Sequence, residues 1–247
     1  MPANDVHHDQ NKSFLMALAR APSYPFRGSG KYMILVAAIV LSVLDFLGQW
    51  ILGIVALFAW LLVTAYVYAY LFKVIGRSAA GDDEPPDWPD VTTEEVWRPL
   101  YLCLVTTVFA MLPCIAYLVW SVSEDEYDGG VMLDYDGGVM LALAIPGLIY
   151  LPMALLSVSL HDTPRALSPL LVIRSIVKVL PSYIPACAVL VGVVYWETRM
   201  SDLVARLTFI GPLLSNALWL YLVMVVGHVL GLIYLHNERR LGWFTTD

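Results

Sequence analysis

The stretch from Tyr32 to Val74 is apolar almost without interruption. A single helix over it would be about 65 Å long at 1.5 Å per residue. A bilayer core is about 30 Å thick and takes roughly 20 apolar residues per crossing. The run therefore has to fold back on itself. The expected bend is DFLGQW, Asp45 to Trp50, which holds the strongly polar Asp45 and Gln49 and a glycine for the turn. Two helices follow from this, about Lys31–Phe46 and about Trp50–Ile75.

Composition supports a membrane over a large soluble core. Of 247 residues, 59% are hydrophobic and 14% are charged, against roughly 25% charged in a soluble domain. Further spans are expected at about Pro99–Ser121, Val139–Leu160, Ser182–Trp196 and Leu207–Leu235. Pro146 and Pro152 are expected to kink the fourth, which membrane helices tolerate. In SPLLVIRSIVKVLP, residues 168–181, Arg174 and Lys178 lie four apart among apolar residues. That spacing suits a short helix lying in the membrane interface. The expected fold is an all-α, polytopic transmembrane bundle of about six spans plus short interfacial helices. Residues 1–30 form an N-terminal segment with a short amphipathic helix, and residues 31–247 form one transmembrane domain. MPANDVHHDQNKSFLMALAR has no apolar stretch of signal-peptide length, so the first span is expected to stay in the mature chain.

Orientation follows from the cations, which concentrate on the cytoplasmic side of membrane proteins. With six spans and both termini cytoplasmic, Lys12, Arg20, Arg27, Lys31, Lys73, Arg77, Arg98, Arg165, Arg174, Lys178, Arg239 and Arg240 fall inside. Arg199 and Arg206 fall outside. Trp50, Trp97, Trp120, Trp196 and Trp243 lie near expected helix ends, as an interfacial aromatic belt requires.

The formal net charge is −7, so no nucleic-acid partner is expected; that would call for a basic stripe. The bilayer itself and other membrane subunits are the expected partners. Cys103, Cys114 and Cys187 sit in apolar runs without metal-ligand spacing and read as small packing residues. No phosphate-binding loop, dinucleotide fingerprint, zinc-protease helix or nucleophile–base motif occurs. No catalytic residue, cofactor or metal is expected. His161, Asp162 and Arg165 are the nearest thing to a polar cluster, and they also suit a helix end.

Two loops stand out. The outer loop, 122–138, carries YDGGVML twice, separated by Asp134. Asp134-Tyr135-Asp136-Gly137 is a fragment of a calcium-loop pattern, which needs a bidentate Glu at the twelfth position. That position is Ile145 counted from Asp134 and Gly137 counted from Glu126, so the cage cannot close. A tandem duplication in a tolerant loop explains the repeat better than weak cation attraction does. The loop at 76–97, GRSAAGDDEPPDWPDVTTEEVW, is expected on the cytoplasmic side. It has seven carboxylates, three prolines and Trp88. Thr92 and Glu95 read as a capping box. Asp87, Trp88, Pro89 and Asp90 form a stiff acidic turn, read either as a docking point with an exposed indole or as a linker resting on the bundle.

Polar positions inside the apolar runs are few. Asp45 and Gln49 mark the first bend, where Asp45 is expected to cap the second helix or to be hydrated. Asn216 and His228 lie on the last helix and are expected to face the bundle, since facing lipid would leave them unpaired. Gly227 and Gly231 flank His228 and let another helix approach. A haem would want a second histidine facing His228; only His161 offers one, and packing with interhelical hydrogen bonding is the expected role.

SYPFRGSGKYMILVAAIV at 23–40, AYLFKVIGRSAAGDDEPPDWPD at 69–90 and GHVLGLIYLHNERRLGWF at 227–244 together resemble a prokaryotic integral membrane family of unknown function, domain of unknown function 4013. The resemblance spans most of the chain, and the Pro-Asp-Trp loop is its distinctive part. It implies a multi-helix bundle in the cytoplasmic (inner) membrane and supplies no activity. The doubled outer loop departs from the pattern. The expectation for function is a non-catalytic accessory subunit or scaffold of a membrane complex. The rival is a transporter, channel or lipid-handling protein for a neutral or lipid substrate, for which Pro146, Pro152 and Pro185 would break helices around a cavity.

Overall fold

The computed structural model describes residues 13–48, 53–90, 92–124, 136–204, 207 and 210–244. Among them the chain is helical and has no strand. Residues 13–20 are the described part of a first helix, α1, which runs into a 3-10 turn at Ala21–Phe26. The other helices are α2 (Gly30–Gly48), α3 (Ile54–Ala79), α4 (Thr93–Ala110), α5 (Leu112–Glu124), α6 (Gly137–His161), α7 (Pro169–Lys178), α8 (Leu180–Val204) and α9 (Gly211–Leu241). A second 3-10 turn covers Pro164–Leu167. Among the described residues five helices are long and apolar enough to cross a membrane, or six if the bent pair α4–α5 is one span. A multi-pass membrane protein follows from those lengths.

The chain forms two compact units: Met1–Leu100 with Ile176–Asp247, and Tyr101–Ser175. In the first, α9 is the axis. It packs against α3, α8, α2 and the first 3-10 turn, and most of its stretch from Leu220 to Tyr234 is buried. Lipid is as apolar as leucine, so close van der Waals packing, not hydrophobicity, has to hold such helices together. Small residues supply the approach. A Cβ added to Gly227 would lie 2.8 Å from Val74 Cγ1 of α3. One added to Gly231 would run into the Ser78 side chain and lie 2.8 Å from the Ala79 nitrogen and the Ile75 carbonyl oxygen. The α9 end is closed by Gly242 in the left-handed region (φ 63°), and Lys178 Nζ donates to the Leu241 carbonyl at 3.2 Å. A cation there complements the negative end of the helix dipole.

In the second unit, the expected single span at Pro99–Ser121 is instead two helices bent by 62° at Met111. Pro113 has no N–H to return to the Phe109 carbonyl, and its ring crowds that carbonyl, so the ladder breaks there. Gly147 of α6 takes up the bend: a Cβ on it would collide with the Ala110 carbonyl oxygen. Pro146 and Pro152, by contrast, lie inside an unbroken α6. Asp136 caps that helix, accepting from the Gly138 amide at 2.7 Å.

Other boundaries also differ from expectation. The fifth span, expected to stop at Trp196, runs on as α8 to Val204. The last, expected to stop at Leu235, continues as α9 to Leu241. Charged residues end the apolar run but do not end a helix that has left the bilayer. Within 168–181, expected to lie in the interface, Pro169–Lys178 form a separate ten-residue helix, α7. Residues 125–135, which hold the first YDGGVML copy, Asp134 and Tyr135, lie outside the described residues, as does Gln49, while the rest of the second copy, residues 136–141, caps and opens α6.

The close α3–α9 contact predicts a sharp contrast between glycines. Gly231→Val should lower stability by about 3 kcal/mol, because backbone atoms of α3 stand in its way. Gly192→Ala, with nothing within 4 Å of its Cβ position, should cost nothing measurable. Thermal unfolding of both variants in detergent checks this.

Candidate functional site

The acidic loop does not hang free. Its sequence places Tyr66, Tyr70 and Lys73 on one face of α3, at i, i+4 and i+7, and that face receives the loop. Trp88 stacks on Tyr66 (centroids 5.5 Å apart, planes at 22°) and leans on Tyr70 (5.3 Å, 36°). The Tyr66 hydroxyl donates to the Pro89 carbonyl at 2.8 Å, and Lys73 Nζ donates to the Trp88 carbonyl at 3.3 Å. Pro85, Pro86 and Pro89 are buried and Trp88 is half buried. The indole, which the sequence left either exposed or resting on the bundle, is one layer of an aromatic stack, while Asp87 and Asp90 on either side remain exposed.

The front of the loop is tied to the N-terminal turn and to the end of α3. Arg27 pairs with Asp83 at 3.2 Å and Arg77 with Asp82 at 2.5 Å. These pairs are solvent-exposed and add little stability each. Gly30, at the start of α2, faces the Pro85 ring so closely that an added Cβ would lie 2.8 Å from it. The expected capping box is half made. The Glu95 amide donates to Thr92 Oγ1 at 3.3 Å, but the Glu95 carboxylate reaches past Thr92 to the Asp90 amide at 3.0 Å.

Beside the loop lies a buried polar cluster. Ser78 Oγ of α3 and His228 Nδ1 of α9 share a hydrogen bond of 2.8 Å. The Tyr24 ring, from the first 3-10 turn, lies flat on the His228 ring with centroids 3.9 Å apart and planes at 9°. The Tyr24 hydroxyl donates to the Glu84 carbonyl at 3.4 Å. Ser78 is 1% exposed and His228 4%, so this serine–histidine pair is shielded from solvent. Burial removes water from the Tyr24 phenol, and its pKa is pushed up to about 12.

The remaining polar positions are paired elsewhere. Asn216 Nδ2 of α9 donates to Asp45 Oδ2 of α2 at 2.8 Å and to Ser42 Oγ at 3.2 Å. Asp45 therefore bridges two helices from inside the last turn of α2; it does not cap α3, whose N-cap position is Gly53. Further along α9, Ser182 Oγ of α8 donates to Asn237 Oδ1 at 3.4 Å. In the other unit, His161 Nδ1 donates to the Ser157 carbonyl of its own helix at 2.9 Å. Asp162 follows in the left-handed region (φ 50°) and closes α6, and Arg165 lies in the 3-10 turn after it. Among the described residues no group of three or more His, Cys, Asp or Glu side chains is placed to hold a metal ion. Cys103 and Cys114 are buried, Cys187 is half buried, and all three are free thiols.

Sequence reasoning singled out Trp88, Asp45, Asn216 and His228 but missed their partners Tyr66, Tyr70, Tyr24 and Ser78. The tyrosine spacing on α3 was a readable signal. Nothing local in sequence links Tyr24 to His228, which lie two hundred residues apart. No family model, curated protein or solved structure matches the chain.

Two outcomes test this geometry. Trp88→Ala should cost about 2 kcal/mol, roughly half the loss for a fully buried tryptophan. It should also open residues 80–90 to added protease. Tyr24 titrates higher folded than unfolded, where a phenol has a pKa of about 10. Its contribution to stability is therefore complete below pH about 10 and lost as the pH rises toward about 12. Thermal midpoints should fall more steeply over that window in the unmodified protein than in Tyr24→Phe.

Proposed function

We propose that the chain is a non-catalytic accessory subunit or scaffold of a membrane complex, with both termini and the acidic loop on the cytoplasmic face of the inner membrane. The observation that carries this reading is the pairing of its intramembrane polar groups. A transport path would draw such groups to one water-lined cavity near the midplane. Here Asp45 meets Asn216 and Ser42, His228 meets Ser78 and Tyr24, and Asn237 meets Ser182. They hold helices together at separate levels. The buried serine–histidine pair likewise supports a structural role over a catalytic one. Broad apolar faces remain: Leu35, Val36, Ile39, Val40 and Val43 of α2 are each more than 45% exposed.

A second reading, lipid handling, is favoured by one feature. A groove of about 330 Å³ between α2 and α3 is lined by apolar groups such as Val36, Val40, Leu62 and Val63. It would suit an acyl chain.

Purification of the tagged chain from its native membrane in mild detergent separates the two. Protein partners at fixed stoichiometry are the expected result. A chain that emerges alone, carrying only lipid, would remove the subunit reading and favour the second.

A further inference from the structure

Both α2 and α3 pack on α9, and they diverge from one another, leaving the groove with Leu220 of α9 at its base. Its α2 wall runs from Val36 to Leu44, a little over two helical turns or about 12 Å. Ala37 on that wall is buried against Val67 and Leu220, so the base of the groove is closed by the chain's own packing while Val36 and Val40 stay exposed. The Tyr66 hydroxyl on the lining is turned to the Pro89 carbonyl. Whatever fills the groove has to be apolar along this length.

One end of the groove is different. Trp88 and Val96 line it, and their chain neighbours Asp87, Asp90, Glu94 and Glu95 are all exposed. Among the described residues the two ion pairs of the loop use Asp82 and Asp83, not these four. The cations of the same region are Lys73, held on the Trp88 carbonyl, and Arg98, so negative charge is in excess. A phospholipid would bring its phosphate to this rim and meet like charge. A membrane-crossing helix commonly brings Lys and Arg at its cytoplasmic end, and opposite charge at the rim would fix its orientation and register. From this complementarity we infer that the α2–α3 groove seats a transmembrane helix of a partner protein whose flank on the side of the acidic loop is basic. The inference rests on the subunit reading and names the surface that the partner occupies.

A photo-crosslinking residue in place of Val40 or Leu62, in the full chain in its native membrane, tests it. A third copy at Val191 of α8, which is 69% exposed, serves as control. The expected result is a protein adduct of one mass from Val40 and Leu62 and none of that mass from Val191. The attached peptide should be an apolar helix followed by Lys or Arg. Neutralising the exposed rim with Asp87→Asn, Asp90→Asn and Glu94→Gln together should lower the adduct yield about tenfold at low salt, with the thermal midpoint of the chain unchanged. Lipid adducts alone at Val40 and Leu62, or a protein adduct indifferent to the three neutralisations, would overturn the inference. If stoichiometric partners copurify while the groove yields only lipid adducts, the inference fails and the subunit reading stands. If neither partner nor protein adduct is found, both fail.

Discussion

The first compact unit is organised by the close approach of α3 and α9. Gly227 and Gly231 remove the side chains that would hold these helices apart, and Ser78 and His228 then meet within hydrogen-bonding distance. In a bilayer an unpaired imidazole between helices is costly, so the bond and the packing require one another. Tyr24 completes the arrangement by covering the histidine ring, which brings the N-terminal turn against α9. From that turn Arg27 reaches the acidic loop, and from another face of α3 Tyr66, Tyr70 and Lys73 hold its far end. The loop is thus positioned by the helix pair beneath it.

This ordering bears on function. A loop rich in carboxylates would ordinarily sample many conformations, and binding a partner would then cost the entropy of ordering it. Proline residues and the aromatic stack remove much of that cost beforehand, which is the general advantage of a preorganised surface. The exposed carboxylates Asp87 and Asp90 are held at fixed places on either side of a half-buried indole. The polar groups on the long helices, by contrast, are engaged with one another: His228 with Ser78, Asn237 with Ser182, and Asn216 with an exposed Asp45.

Much of the fold was legible because apolar runs of bilayer length have few alternatives. The first two spans, a short separate helix within 168–181 and the long last helix all follow from run length and charge placement. The break at Met111 was not legible. Pro113 breaks its span while Pro146 and Pro152 leave theirs whole, and the difference lies in packing against Gly147, which run length does not encode. The helix ends at Val204 and Leu241 were placed too early because polarity marks the membrane boundary, not the end of hydrogen bonding. At the site, Asp45, Asn216 and His228 stood out as polar letters in apolar runs. Their pairings join α2 with α9 and α3 with α9, contacts that only the folded chain defines.

In the scaffold proposed above, the polar groups along α9 bind helices together and line no aqueous path. Cysteine accessibility along α9 from 216 to 234 tests it most directly, in sealed membranes and in a chain whose Cys103, Cys114 and Cys187 have been replaced. A charged, membrane-impermeant thiol reagent applied from either side should label only the outermost positions and leave the stretch from Leu220 to Gly231 unreacted. Labelling that recurs every third or fourth residue through that stretch would mean a water-filled face and would contradict the account.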